Sequence, residues 1–155
     1  MKSTVINTSK EMMAFSDFPP PDHYTNFMHN TKVLEYFRLY ADHFNLLAHI
    51  RFGVQVKQVV QAEDYADSGK WNVIYQSEKS PEPQTETFDA VLLCTGHHAT
   101  PYMGHVSGLD TFKGHVMHSH SYKQPAGFED KRVLVIGMGN SGGDIAVELG
   151  RTSKA

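Results

Sequence analysis

The 155-residue sequence predicts an α/β fold, and three observations indicate it. Near its end, "RVLVIGMGNSGGDIAVEL" combines an apolar strand, a glycine turn and an amphipathic helix. Residues 90–94 are apolar without alternation, which is typical of a strand buried on both faces of a layered sheet. Between residues 31 and 49 the apolar side chains recur at intervals of three and four, which predicts a helix.

The predicted helix follows a loop. Residues 16–30 are rich in proline and aromatic side chains, and consecutive prolines exclude both a helix and a central strand. Asn30 or Thr31 is predicted to cap a helix that reaches about His49. One apolar stripe is predicted to be buried, and it comprises Val33, Leu34, Phe37, Tyr40, Ala41, Phe44 and Leu47.

Strands are predicted in the middle of the chain. Residues 50–61 are β-rich and predict one or two strands, and residues 70–76 and 87–96 predict two more. The polar residues 77–86 predict a solvated hairpin loop. From about residue 96 to 113 the pattern is irregular, and Lys131 begins the last predicted strand.

Composition excludes several classes of protein. Fourteen basic and 17 acidic residues give a net charge of −3 without a clustered basic face, which argues against nucleic-acid binding. Cys94 is the only cysteine, so the chain forms no internal disulfide, and the ten histidines match no common zinc spacing. We therefore expect no metal site. The first residues, "MKSTVINTSKEMM", lack the apolar core of a secretory signal.

The glycine turn "GMGNSG" predicts a phosphate-binding loop. Gly137 permits the tight turn, Gly139 lets the backbone approach a pyrophosphate, and Gly142 allows close helix–strand packing. Asn140 and Ser141 add polar donors at the positive end of the following helix. The alternative is a glycine turn that binds nothing. The residue that separates NAD from NADP lies about 20 positions further on, so these residues leave that choice open.

A second motif lies just upstream. "FKGHVMHSHSY" places Phe112, Gly114, His118 and Tyr122 in the pattern F-x-G-x-x-x-H-x-x-x-Y. This pattern resembles the fingerprint of the flavin-dependent N- and S-monooxygenases, the flavin-containing monooxygenase family. Related Baeyer–Villiger monooxygenases usually carry tryptophan at the last position, so Tyr122 favours the first family.

Four further stretches resemble animal-type members of this family in order and spacing. They are "NTSKEMMAFSDFP" from Asn7, "NFMHNTKVLEY" from Asn26, "FDAVLLCTGHHATP" from Phe88 and "EDKRVLVIGMGNSGGDIAVEL" from Glu129. The resemblance covers essentially the whole chain. It implies a flavoprotein with two dinucleotide-binding domains, of which residues 1–109 form part of the FAD domain. Residues 110–155 would form the linker fingerprint and the first β-turn-α unit of a Rossmann-like NADPH domain.

The resemblance also implies roles for individual residues. The segment matching Asn7 and Thr8 lies against the flavin and the nicotinamide, with Asn7 near the edge that reacts with oxygen. Residues 137–144 resemble the NADPH pyrophosphate turn, whose contacts include Ser141, Gly142, Gly143 and Asp144. His118 is expected to hold a backbone carbonyl or a hydrogen bond on the cofactor side. Because family members begin with a glycine turn for FAD, and none precedes Asn7, we expect an internal fragment.

The implied activity is oxygenation of a soft nucleophile, an amine nitrogen or a sulfide sulfur. NADPH reduces FAD, and O₂ then forms a flavin C4a-hydroperoxide. The alternatives are a related Baeyer–Villiger enzyme and a non-catalytic nucleotide-binding module, which is what we expect of the isolated chain. The full-length protein is expected in the cytoplasm or on the cytoplasmic face of the endoplasmic reticulum, where some members anchor through a C-terminal segment.

Overall fold

The structure is a computed structural model that describes residues 1–78 and 80–154. The chain divides into two compact units, one formed by Met1–Leu39 with His98–Ala155 and the other by Tyr40–His97. The predicted domain boundary between residues 109 and 110 stays a prediction. Lys79, in the predicted hairpin loop, and Ala155, in the predicted second domain, lie outside the described residues.

The predicted helix is present but starts and ends differently. Helix α1 spans Lys10–Met13, and α2 spans Asn30–His43. Asn45 adopts a left-handed conformation with φ 50°, so the chain continues as a separate 3₁₀ turn at Leu46–His49. The predicted cap is wrong, because the Thr31 N–H lies 3.3 Å from Nδ1 of His29 and Asn30 belongs to the helix.

The predicted buried stripe on α2 is wrong for most of its members, although Val33 packs against the core. Leu34, Phe37 and Leu47 are 49%, 47% and 51% exposed, whereas Tyr36, outside the stripe, is fully buried. The Tyr36 hydroxyl donates to the Phe18 carbonyl at 2.5 Å and accepts from the Phe15 N–H at 2.9 Å. The proline-rich loop therefore packs on the tyrosine side of the helix. This core contains Tyr24, Met28 and Tyr36, with Ile6, Met13, Phe18 and Val33 packed around it.

The second unit contains a three-stranded antiparallel sheet in the order β1-β2-β3. Strands β1 (Val54–Gln61) and β2 (Trp71–Ser77) lie where they were predicted. Strand β3 spans Ser80–Phe88, so most of the predicted hairpin loop is strand. Its prolines are tolerated because, among the described residues, β3 pairs only with β2 and is an edge strand. A short helix, α3 (Tyr65–Ser68), joins β1 to β2.

Two predicted strands are not regular strands in the structure. Residues 90–94 and 133–136 lack strand pairing, and Leu92, Leu93 and Leu134 are 83%, 77% and 84% exposed. Cys94, expected at the end of a buried strand, is exposed as well. A strand is defined by its hydrogen-bonded neighbour, and among the described residues the last segment has only an isolated bridge, Arg132 to Lys154.

The linker and the last helix complete the first unit. A 3₁₀ turn at Leu109–Thr111 lies within the region 96–113 that was predicted to be irregular, and a second 3₁₀ turn follows at Ser119–Ser121. Helix α4 spans Asn140–Leu149, directly after the glycine turn, as predicted. A second core contains Tyr122, Ile145 and Leu149, with Met1, Met117, Phe128 and Val135 around it. No helix in the described part of the chain is long and apolar enough to cross a bilayer.

Candidate functional site

The glycine turn has a backbone geometry that requires glycine at two positions. Gly137 has φ +117°, in the region that L-residues rarely adopt. A Cβ on Gly142 would lie 2.3 Å from the carbonyl oxygen of Gly137, so α4 approaches the turn more closely than any side chain permits. A Cβ on Gly139 would meet nothing within 4 Å, which leaves the middle of the turn open to a ligand.

The N-terminus of α4 adds positive potential beside this open turn. Gly139 precedes the helix and makes no side-chain cap, and its carbonyl accepts from the Gly143 N–H at 3.0 Å. The first N–H groups of a helix have no acceptor within the helix, and the helix dipole places partial positive charge there. Asn140 and Ser141 present exposed polar side chains at the same end. This arrangement suits an anionic group.

A cavity of about 530 Å³ lies next to the helix end. One side, here called the N-terminal wall, comprises Met1, Thr4, Val5, Ile6, Asn7 and Thr8. Another, the linker wall, comprises Ser119, His120, Tyr122 and Lys123. The start of α4 contributes Asn140, Ser141 and Asp144 to the lining. The structure thus brings together five predicted site residues from opposite ends of the chain, namely Asn7, Thr8, Asn140, Ser141 and Asp144.

The N-terminal wall is held by backbone hydrogen bonds to the segment before α2. Val5 forms an isolated antiparallel bridge with His29, and the Ile6 N–H donates to the Met28 carbonyl at 2.9 Å. Ser9 then caps α1 by accepting from the Met12 N–H. Asn7 lies between these two anchored points with its side chain exposed, so a ligand in the cavity can reach it.

Tyr122 attaches the linker wall to α4. The residue is 4% exposed and packs with Ile145 and Leu149, and its hydroxyl donates to Oε2 of Glu148 at 2.6 Å. Burial, and next the hydrogen bond to Glu148, raise the pKa of the Tyr122 phenol above its ordinary value. The phenol therefore stays protonated and acts as a donor throughout the physiological pH range.

The other three fingerprint residues shape the linker and do not line the cavity. A Cβ on Gly114 would lie 2.5 Å from the Phe112 ring, so glycine lets this half-exposed ring fold back onto the chain. Nδ1 of His118 accepts from the His120 N–H at 3.0 Å and caps the 3₁₀ turn. Nδ1 is therefore occupied as an acceptor, and the expected hydrogen bond of His118 to a backbone carbonyl or on the cofactor side stays a prediction.

Sequence reasoning missed several residues of the site. His120 and Lys123 line the cavity, and Lys123 Nζ donates to the His120 carbonyl at 2.9 Å. The sequence did offer a signal for both, because His120 lies between the fingerprint residues His118 and Tyr122, and Lys123 directly follows Tyr122. Glu148 had no signal, because only the fold places it against Tyr122. Gly137, Gly139, Gly142 and Gly143 form the turn and the first residues of α4 but are not among the cavity-lining residues.

Comparison with known proteins gives consistent results. The family described as "Flavin-binding monooxygenase-like" matches residues 1–155. The chain is 54% identical to flavin-containing monooxygenase 5 of Homo sapiens, covering 99% of this chain and 29% of that protein. It is 51% identical to flavin-containing monooxygenase 2 of Homo sapiens, covering 98% of this chain and 28% of that protein. The chain therefore spans less than a third of the length of these curated relatives.

A solved structure shares the fold. The crystal structure of Tmm from Pelagibacter sp. strain HTCC7211 superposes with a TM-score of 0.83 at 25% identity, covering 96% of this chain and 34% of that one. The agreement of fold, whole-chain family match and high identity to named members leads to one conclusion. The chain belongs to the flavin-binding monooxygenase-like family.

Proposed function

We propose that this chain is part of an NADPH- and O₂-dependent flavin monooxygenase, and that its cavity holds the dinucleotide. One observation carries the proposal: Asn7 and Thr8 share a cavity with the N-terminus of α4. The resemblance assigns the first pair to the flavin and nicotinamide, and it assigns the helix start to the pyrophosphate. Two groups of residues with complementary assigned roles therefore meet at one place.

The residues present fit a bound dinucleotide. The turn is open at Gly139, where a Cβ would meet nothing, and tightly closed between Gly137 and Gly142. An open backbone next to a helix N-terminus is the arrangement that accommodates a pyrophosphate. We propose that residues 110–155 contribute this half-site to an NADPH domain, and that residues 1–109 contribute Asn7 and Thr8 to the FAD domain.

In this proposal the protein binds and orients, and the cofactors supply the redox chemistry. FAD and NADPH, when bound, provide the electrons and the activation of O₂ by which an amine nitrogen or sulfide sulfur is oxygenated. The backbone N–H groups that begin α4, with Asn140 and Ser141, hold the pyrophosphate. The Asn7 amide, which can both donate and accept, orients the reacting edge of the flavin. Tyr122 keeps the linker wall fixed on α4 through Glu148.

The proposal includes a location. For a protein of full family length we propose the cytoplasm or the cytoplasmic face of the endoplasmic reticulum membrane, with small amines or sulfides as substrates. Both curated relatives named above are flavin-containing monooxygenases, which supports a small oxidisable substrate.

Asn7→Ala tests the role of the N-terminal wall in a complete enzyme. For this test, the chain replaces the matching segment within human flavin-containing monooxygenase 5, to which it is 54% identical. We expect the variant to release more H₂O₂ per NADPH consumed, by about fivefold, because loss of a positioning hydrogen bond worth about 1 kcal/mol leaves the reactive edge poorly oriented. The measurement is the ratio of H₂O₂ to oxygenated product.

Asn72→Ala is the matched control, because Asn72 accepts a hydrogen bond from Thr87 in the antiparallel sheet. It is expected to leave the ratio unchanged. An unchanged ratio in Asn7→Ala as well would contradict the proposed role of Asn7.

A further inference from the structure

Asn30 makes three hydrogen bonds to Lys2 and to Thr4 of the N-terminal wall, although Asn30 does not line the cavity itself. Its backbone N–H donates to the Thr4 carbonyl at 2.9 Å. Its side-chain Nδ2 donates to the Lys2 carbonyl at 2.9 Å and to the Thr4 carbonyl at 3.1 Å. A side-chain amide nitrogen has two protons, and this geometry uses both.

Lys2 connects the two walls of the cavity. Its carbonyl accepts from Asn30, and its own N–H donates to the Lys123 carbonyl in the linker wall at 2.9 Å. The next residue back along the linker is Tyr122, whose hydroxyl is bonded to Glu148 on α4. A continuous series of hydrogen bonds and peptide units therefore joins Asn30 to the helix that presents the glycine turn.

The Asn30 side chain can bond the N-terminal segment because another residue caps the start of α2. An asparagine at a helix start usually accepts with its side-chain oxygen from an N–H of the first turn. Here His29 takes that part, with its Nδ1 3.3 Å from the Thr31 N–H and its carbonyl accepting from the Lys32 N–H at 2.8 Å. The Asn30 amide nitrogen points instead to the two carbonyls of the N-terminal segment.

A second asparagine holds the chain on the other side of Asn7 and Thr8. Oδ1 of Asn26 accepts from the Lys10 N–H at 3.2 Å, two residues after Thr8. The two anchoring asparagines lie four residues apart in the chain, on the segment that leads into α2. Side chains outside the cavity thus hold the backbone at Thr4 and at Lys10, three residues to either side of Asn7.

We propose that Asn30 is a positioning residue, which sets the place of the N-terminal wall relative to the linker wall and thereby the shape of the cavity. Its expected consequence for NADP⁺ binding rests on the proposed function. Aspartate at this position would direct a carboxylate at two carbonyl oxygens, and alanine would remove both side-chain bonds. Either substitution is expected to release Lys2 and loosen the contact with Lys123.

The first test measures amide hydrogen exchange in the 155-residue chain. In Asn30→Ala we expect the amides of Lys2 and Ile6 to exchange ten- to thirtyfold faster, because each lost hydrogen bond contributes about 1 kcal/mol. Amides within α4 are expected to keep their protection. Val33→Ala is the matched control, since Val33 packs on the neighbouring core without bonding the N-terminal segment. It should affect exchange evenly across the first unit.

The second test measures the dissociation constant for NADP⁺, with variants compared at equal distance from their unfolding temperatures. Asn30→Ala and Asn30→Asp are expected to weaken binding about tenfold, and Val33→Ala is expected to leave it within twofold. Equal weakening in Asn30→Ala and Val33→Ala would show that Asn30 matters only for stability and would overturn the proposal. Unchanged exchange at Lys2 in Asn30→Ala would overturn it too. Absence of NADP⁺ binding by the unmodified chain would contradict the proposed function alone, because exchange at Lys2 still decides whether Asn30 fixes the walls.

Discussion

Gly142→Ala is expected to weaken the binding of NADP⁺ to this chain roughly a hundredfold, which corresponds to about 2.8 kcal/mol. The added Cβ would lie 2.3 Å from the carbonyl oxygen of Gly137 and 3.0 Å from its carbonyl carbon. Both are backbone atoms, so no side-chain rotation relieves the overlap. The start of α4 must move away from the turn, and its N–H groups then no longer converge on the open position at Gly139.

The adjacent glycine provides a matched control for the effect of this substitution on stability. A Cβ on Gly143 would meet nothing within 4 Å, so Gly143→Ala adds a helix-favouring residue without overlap. We expect it to raise the stability of the chain by up to about 1 kcal/mol, whereas Gly142→Ala should lower it by about 1–3 kcal/mol. Thermal unfolding and equilibrium binding measure the two effects. A Gly142→Ala chain that binds and unfolds like the unmodified chain would contradict the geometry of the turn.

Tyr36→Ala is expected to produce the largest loss of folding stability, about 3–5 kcal/mol, because it empties a fully buried aromatic site. Tyr36→Phe isolates the hydroxyl, which bonds the Phe18 carbonyl and the Phe15 N–H. Two hydrogen bonds of about 1 kcal/mol each predict a loss of about 2 kcal/mol for this change. Chemical denaturation, followed by circular dichroism, measures both.

Leu34→Ala is the comparison that distinguishes the observed core from the predicted one. Leu34 belongs to the apolar stripe predicted from spacing, yet it is 49% exposed. Leu34→Ala should therefore lower the free energy of unfolding by less than half as much as Tyr36→Ala does. Equal losses would contradict the exposure of Leu34 and, with it, the buried face of α2 described above.

Local features of the fold could be predicted from the sequence. The glycine turn and α4 depend on residues that are close in the chain, since Gly142 meets Gly137 only five positions away. Strands β1 and β2 were predictable from their β-branched residues, and they pair with each other across a short connection.

Features that depend on distant neighbours could not be predicted. Residues 90–94 have the composition of a buried strand, but burial requires partner strands, and no such pairing occurs among the residues that the structure describes. The burial of Tyr36 depends on the proline-rich loop and the residue before it, because the Tyr36 hydroxyl donates to the Phe18 carbonyl and accepts from the Phe15 N–H. Apolar spacing along α2 carries no information about that loop.

The residues of the candidate site also differ in whether nearby sequence or only the fold reveals them. Gly137, Gly139 and Gly142 were predictable because each has a physical reason at its spacing. Asn7 came from the resemblance alone, since an isolated asparagine in a polar segment has no distinguishing pattern. Asn30 and Glu148 were not predictable as parts of the site, because their contributions are hydrogen bonds to Lys2, Thr4 and Tyr122 that only the fold creates.

The central claim is that one cavity, between the N-terminal wall and the start of α4, binds NADP⁺. Titration of the ¹⁵N-labelled chain with NADP⁺, followed residue by residue by NMR, tests it most directly. We predict saturable shifts at Asn7, Thr8 and the amides from Asn140 to Asp144, with none in the antiparallel sheet. Shifts confined to the unit Tyr40–His97, or the absence of any saturable shift, would contradict the claim.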